Sequence, residues 1–369
     1  MAAGIPPSAT RPIPLTLLTG FLGAGKTTLL NRLLREEALA GTAVIVNEFG
    51  EVGLDHLLIQ KADDGIIELS AGCVCCTIRG ELADALERLL GALDGGRIAA
   101  INRVIIETTG LADPAPILSL LTRHPTLSRR FDFDGVVTVA DAIHGMATLD
   151  AHDEAVRQVA VADRIVLSKT ELAGDTGPLR RRIARLNPAA RILDAGRGEA
   201  RAQGLVGCGP FDPEAKGADV RAWLAAEAFA DDRHHHDEVR HDAHISSFAL
   251  VSDGGMRRRD VDRFLDELEL GFASKLIRMK GIVALTDHPD TPLVLQAVQG
   301  LVSPPVLLAG WPDKDRRTRI VFIGRDLDRR PVEALFDAFT GAARIDTPDR
   351  AALLDNPLVA AGFTDRMRR

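Results

Sequence analysis

The chain has 369 residues, 46% hydrophobic and 26% charged, with 52 acidic against 45 basic side chains and a formal net charge of -7. That size and balance fit a globular protein of more than one domain and exclude fibrous or wholly disordered classes. The acidic excess argues against nonspecific nucleic-acid binding, which runs on surplus lysine and arginine, and no run of 18 apolar residues offers a membrane span, so neither partner is expected.

The first twelve residues, with Pro6, Pro7 and Pro12, carry no secretory hydrophobic stretch and are expected to be a disordered segment on a cytoplasmic protein. An apolar strand is predicted from Pro14 to Thr19. Directly after it, Gly20-Phe-Leu-Gly-Ala-Gly25-Lys26-Thr27 satisfies G-x-x-x-x-G-K-[ST], and a helix is predicted from Thr27 to Glu37. In that context Gly20, Gly23, Ala24, Gly25 and Thr28 surround a polyphosphate with backbone amides and a helix N-terminus. Lys26 brings charge to the phosphates, and Thr27 offers its hydroxyl to Mg²⁺. Lys26 is one of only seven lysines in the chain.

A second strand, Thr42 to Val46, runs into Asn47-Glu48-Phe49-Gly50-Glu51. Two carboxylates in a glycine-bearing loop suit a segment that orders around nucleotide and relaxes after hydrolysis. Glu48 is the catalytic candidate there, with Glu51 and Asp55 as other possible water positioners. A third strand, Ile66 to Leu69, leads to Gly72-Cys73-Val74-Cys75-Cys76, which holds three of the four cysteines; Cys208 stands alone. Thiolates packed this closely cannot all pair in unstrained disulfides, and as soft ligands Cys73, Cys75 and Cys76 suit Zn²⁺, Cu⁺ or Co²⁺. Three ligands leave a coordination position open. A redox dithiol or a buried cysteine turn has the same spacing.

The fourth strand, Arg103 to Ile106, ends at Glu107-Thr108-Thr109-Gly110. A carboxylate at that place suits a magnesium role for Glu107, and Gly110 suits a γ-phosphate contact. Strands from Gly135 to Val139, Arg164 to Leu167 and Arg191 to Leu193 follow. The second of these precedes Ser168-Lys169-Thr170-Glu171, at the position of the guanine-reading N-K-x-D signature. Glu171 can accept from guanine N1–H and the exocyclic amine and Lys169 can lie along the base, while Ser168 lacks the asparagine amide; GTP is therefore expected over ATP. Apolar runs alternating with amphipathic stretches predict an α/β domain with a mostly parallel sheet and helices on both faces. Gly20, Asn47, Glu107, Asp141 and Lys169 should meet at its C-terminal edge.

Past a helix-like run from Ala218 to Ala230, five of the ten histidines fall in one stretch as His234, His235, His236, His241 and His244, a weak accessory metal site or a solvated linker. From Ile245 the pattern is strand, helix, several strands and helix, a smaller α+β domain. The expected division is 1–12, a nucleotide-binding domain at 13–230, a His-rich linker at 231–244, a second domain at 245–345 and a tail at 346–369.

Taken in order, GFLGAGKTTLLNRLL, VIVNEFGEVGLD, GCVCC, VIIETTGLADP and ADRIVLSKTEL resemble the CobW family of P-loop GTPases, relatives of the hydrogenase and urease nickel-insertion GTPases. KGIVAL, LVLQAVQG and RIVFIGRDLD resemble that family's second domain. The resemblance implies GTP hydrolysis coupled to delivery of zinc or cobalt to a client metalloprotein, with Cys73, Cys75 and Cys76 as the metal site. An oligomer is compatible with it. Ser168 and Glu171 depart from the base-reading pattern, so guanine selectivity is less secured than phosphate and Mg²⁺ binding.

Overall fold

The computed structural model describes residues 12–46, 56–60, 66–70, 78–98, 100–207 and 244–341. They form two sheets. The first takes β1 (Ile13–Gly20), β2 (Thr42–Val46), β3 (His56–Gln60), β4 (Ile66–Ser70), β5 (Arg103–Glu107), β6 (Phe131–Asp141), β7 (Arg164–Ser168) and β8 (Arg191–Asp194) in the order β4-β3-β2-β5-β1-β6-β7-β8. The six strands from β2 to β8 in that order are mutually parallel. Its helices are α1 (Lys26–Leu33), α2 (Ile78–Asp94), α3 (Ala115–Arg123), α4 (Leu127–Arg130), α5 (Gly145–Ala151), α6 (Asp153–Val161), α7 (Gly177–Leu186) and α8 (Ala202–Leu205).

The parallel strands read as near-continuous apolar runs because both of their faces are covered. In β1, Leu15 and Leu17 join a core with Leu86, Leu89 and Leu118, while Leu18 joins the opposite core with Leu29, Leu30 and Leu33. Helix α1 is shorter than the sequence suggests and stops at Leu33. Its buried stripe is Leu29, Leu30 and Leu33, and the next positions on that face are Glu36 and Glu37, so the apolar support for another turn runs out. A short 3₁₀ turn at Glu37–Leu39 then buries Leu39.

The left edge of the sheet departs from the all-parallel pattern. Strand β3, missed in the sequence, pairs antiparallel with β2 and with β4. Residues 61–65 between β3 and β4 are too few for the crossover a parallel pair requires, so a hairpin is the accessible connection.

The second sheet contains β9 (Ile245–Ser252), β10 (Leu276–Val283), β11 (Leu293–Val298), β12 (Leu301–Val302), β13 (Val306–Leu307) and β14 (Thr318–Arg325), ordered β12-β11-β10-β14-β9 with β13 also on β11. All of its pairings are antiparallel. Helices α9 (Arg258–Phe272) and α10 (Arg329–Thr340) cover one face, where Phe264, Leu268, Val332 and Phe336 pack on Met279, Leu295 and Phe322. The other face rests on the first domain, with Ile277, Val321 and Ile323 sharing a core with Ala160, Val161 and Ala189.

Charged groups are buried at that seat. Asp163, 1% exposed, accepts from Arg278 and from the Lys280 ammonium at 2.6 Å, and its second oxygen accepts from the Val136 amide at 3.0 Å. Burial alone would raise the Asp163 pKa, but the two cations and the amide outweigh it and hold the carboxyl below the ordinary value. None of the described helices is long and apolar enough to cross a membrane.

Candidate functional site

The turn from β1 into α1 places Gly20, Gly23 and Gly25 at positive φ. At Gly20, with φ 141°, a Cβ would also lie 2.3 Å from the Val139 carbonyl oxygen, so no other residue fits between β1 and β6. Gly25 caps α1, and Lys26, Thr27 and Thr28 form its first turn, with Thr27 and Thr28 exposed beside the opening. Lys26 is 9% exposed, and its ammonium donates back to the Gly20 carbonyl at 2.9 Å and to the Phe21 carbonyl at 3.3 Å. The loop is thereby held open around a concavity of backbone amides at a helix N-terminus, which is an anion cradle.

Glu107, at the end of the neighbouring β5, is 4% exposed and accepts from the Thr27 hydroxyl at 2.6 Å. A hydroxyl and a carboxylate side by side beneath a phosphate cradle form an all-oxygen donor pair, which fits Mg²⁺. Thr108 continues the strand edge, its amide donating to the Leu18 carbonyl and its hydroxyl to Thr19, both within 2.9 Å. Gly110 then meets the phosphate loop backbone to backbone: a Cβ there would stand 2.5 Å from the Leu22 nitrogen. The sequence-assigned residues Gly20, Gly23, Ala24, Gly25, Lys26, Thr27, Glu107 and Gly110 are thus brought together at one rim.

The turn after β7 also reaches that rim, with a distribution of work the sequence did not foretell. Ser168 donates to the Ala24 carbonyl at 2.6 Å, tying the phosphate loop to β7. Lys169, at φ 57°, bridges the Gly23 carbonyl at 2.8 Å and the Asp141 carboxylate at 2.7 Å. Burial tends to raise the Asp141 pKa, yet Lys169 and the hydrogen bonds from Ile143 and His144 leave it below the ordinary value. Thr170 bonds to Asp194 and accepts from the Gly196 amide, which holds the exposed Glu171 beside the loop following β8.

Gln158 was not singled out in the sequence. It lies in α6, is 0% exposed, and its amide nitrogen donates to the carbonyls of Gly110 at 3.1 Å and Ala112 at 3.0 Å. A glutamine on the buried face of a helix is the one local sign of such a role.

Glu48, Cys73, Cys75, Cys76, His234, His235, His236 and His241 lie outside the described residues, as do Asn47, Glu51 and Asp55. His244 is described; its exposed ring pairs with Asp326 at 3.1 Å. Among the described residues no group of three or more histidine, cysteine or acidic side chains stands together as a metal site.

A glycine-built phosphate cradle, a buried lysine and a threonine–carboxylate pair on the C-terminal rim of a parallel sheet define a P-loop nucleotide-binding protein. Residues 14–194 match the CobW/HypB/UreG nucleotide-binding domain and residues 245–340 the C-terminal domain of the cobalamin synthesis protein CobW. Zinc chaperone YjiA of Escherichia coli (strain K12) is 37% identical over 325 residues, covering 88% of this chain and 98% of YjiA. Zinc chaperone CobW of a Sinorhizobium species is 31% identical over 359 residues, covering 88% and 97%. The crystal structure of a Zn(II)-bound YjiA GTPase variant, with one glutamate and two cysteines replaced by alanine, superposes with a TM-score of 0.67 at 32% identity over 89% of this chain and 99% of that one. The chain belongs to the CobW/HypB/UreG family and is a P-loop GTPase.

Proposed function

We propose that this GTPase is a metal chaperone that captures zinc, or cobalt, on Cys73, Cys75 and Cys76 and hands it to a client metalloprotein as GTP is hydrolysed to GDP and phosphate. The observation that carries this is the register at the sheet's left edge. Ser70 lies opposite His56, Leu57 opposite Ile45, and Val46 opposite Glu107, so β4 ends on the rim that holds the phosphate cradle. Three strand spacings separate Ser70 from Glu107, ~14 Å. The cysteines follow within a few residues of Ser70 in the chain. Both curated relatives are named zinc chaperones.

In this scheme the amides of residues 20–28 and the Lys26 ammonium bind the GTP phosphates, and Glu171 with Lys169 selects the base. Thr27 and Glu107 would hold Mg²⁺, which neutralises charge on the phosphates when bound. Gly110 contacts the γ-phosphate, Glu48 orients the attacking water, and loss of the γ-phosphate releases the loop that follows β2. Each tenfold difference in metal affinity between the GTP and GDP states requires ~1.4 kcal/mol of differential binding, within what ordering one loop supplies. Metal capture displaces thiol protons with an ordinary pKa of ~8.5, so zinc affinity rises with pH through neutrality.

Zinc is bound in the YjiA variant that lacks two cysteines and a glutamate, so zinc in a crystal does not by itself assign the functional site. Nucleotide dependence does. Zinc affinity is to be measured by chelator competition for the wild type and a Cys75→Ser, Cys76→Ser variant, each with GDP and with a nonhydrolysable GTP analogue. The wild type is expected to differ by about tenfold or more between nucleotides, and the variant to lose the tight site. Equal wild-type affinities in the two states would sink the proposal.

A further inference from the structure

Helix α6 connects the GTPase rim to the second domain. At its start, Asp153 lies 3.9 Å from Arg325 of the second domain. Just past its end, Asp163 is clamped by Arg278 and Lys280. Between these anchors α6 holds the γ-phosphate segment twice. Arg157 pairs with Asp113 at 3.2 Å, and Asp113 in turn accepts from the Ala115 amide at the start of α3. Gln158 donates both of its amide hydrogens to the carbonyls of Gly110 and Ala112.

The Gln158 bonds are informative because of what they leave behind. Both acceptors are carbonyls, so the orientation of the amide is forced, and Oε1 is left buried with no hydrogen-bond partner among the described residues. A buried orphan acceptor is destabilising, and an apolar residue of similar shape would remove it. Only a demand for the two donors explains a glutamine here. What those donors hold is the segment packed against Leu22 of the phosphate loop, so closely that a Cβ added at Gly110 would stand 2.5 Å from the Leu22 nitrogen.

We propose that Gln158 is a positioning residue for GTP hydrolysis, which fixes Gly110 at the distance from the phosphate loop that a γ-phosphate demands. It touches no phosphate itself. The second domain supports Gln158, because the C-terminal end of α6 is seated on that domain through Ala160, Val161 and the buried Asp163 cluster, with only an exposed ion pair at Asp153. Resting on Gly110 as the γ-phosphate contact, the role belongs to the triphosphate state, since GDP presents nothing to Gly110.

Two variants test this. Gln158→Leu removes both donors. Gln158→Glu keeps the shape, and its carboxyl, buried against two carbonyl oxygens, has a raised pKa; once protonated it can donate one hydrogen bond back. Expected are a kcat lowered about tenfold in both variants at neutral pH, as lost buried hydrogen bonds allow, with GDP affinity within about threefold of wild type. As pH falls, Gln158→Glu should recover activity relative to wild type, and Gln158→Leu should not. A general packing defect has no reason to heal selectively with acid. A kcat within about twofold of wild type in both variants, a parallel loss of GDP and GTP-analogue binding, or the absence of acid rescue overturns the proposal. Failure of the GTPase assignment itself would look different: Lys26→Ala would then retain hydrolysis.

Discussion

In the first sheet the parallel strands are covered on both faces, and the groups proposed to act on GTP lie at strand ends or in the turns and the helix start that follow them: Gly20 closes β1 ahead of Lys26 and Thr27, Glu107 closes β5 and Ser168 closes β7. In the second sheet two buried cations, Arg278 and Lys280, sit mid-strand in β10, and both are spent on Asp163. The contrast teaches what position does to a polar side chain. A group at a strand end can face a ligand at the rim, whereas a charge inside a buried strand must be neutralised by a protein partner or leave the interior. Chemistry is accordingly expected from the first domain, and from the second a seat whose electrostatics are closed on themselves.

Removing Lys26 breaks the comparison most sharply. Lys26→Ala takes away the cradle's ammonium and the bonds that keep the carbonyls of Gly20 and Phe21 in place. GTP turnover is expected to fall on the order of 10²–10³-fold, the usual cost of deleting one charge-stabilising donor from a preorganised site. Phosphate release measures it. The second sheet is far from this change, so denaturant unfolding followed through Trp311, beside β11 and paired with the Pro289 carbonyl, should be unaltered. Retention of turnover would separate the cradle from the chemistry.

The next largest effect tests the seat. Asp163→Asn can still accept from the Val136 amide, but it leaves Arg278 and Lys280 without their anion. Breaking a buried pair from one side costs about 3–5 kcal/mol, and urea unfolding should show a loss of that order. Adding Lys280→Met should restore part of it, since one of the stranded charges is then gone. The Lys280 pKa already lies below its ordinary value, because burial outweighs the attraction of Asp163 and both Arg278 and Arg164 oppose protonation. A cost under about 1 kcal/mol for Asp163→Asn would mean that the cluster is solvated.

Legibility in the sequence followed the range of the interactions. The phosphate cradle was readable because its work is done by contiguous backbone, which a spacing rule captures, and Glu107 and Gly110 because each follows an apolar strand directly. Ser168 was readable in position only: whether it serves the base or ties the Ala24 carbonyl depends on a contact 144 residues away. Gln158 was hidden for the same reason, its partners lying 46 and 48 residues upstream. The strand His56–Gln60 was missed although its middle residues, Leu57 to Ile59, are apolar, because its place between β2 and β4 is set by antiparallel pairing with both neighbours. Leu276–Val283 did carry a signal that could have been used, since an arginine and a lysine inside an otherwise apolar strand require a buried anion somewhere in the fold.

The smallest expected effect sharpens the same lesson by repeating arginine–carboxylate chemistry near the surface. Before β14, Asp315 accepts from Arg317 at 2.9 Å and lies 3.1 Å from Arg319. The Arg317 hydrogen bonds, opposed by partial burial and helped by the Arg317 amide and the charge of Arg319, lower its pKa from an ordinary 3.8 to about 2. Because the folded value is the lower one, the native state binds this proton more weakly than the unfolded chain does. The stabilisation is therefore whole above the ordinary value, shrinks as pH falls towards about 2, and is gone below that. Solvent reaches Asp315, so the amount should be only about 0.5–1 kcal/mol and should shrink further in high salt. Asp315→Asn should remove it, making the difference in stability between wild type and variant flat below pH 2 and largest near neutrality. If that difference instead matched the cost of Asp163→Asn, burial would not be what separates the closed seat from the open rim.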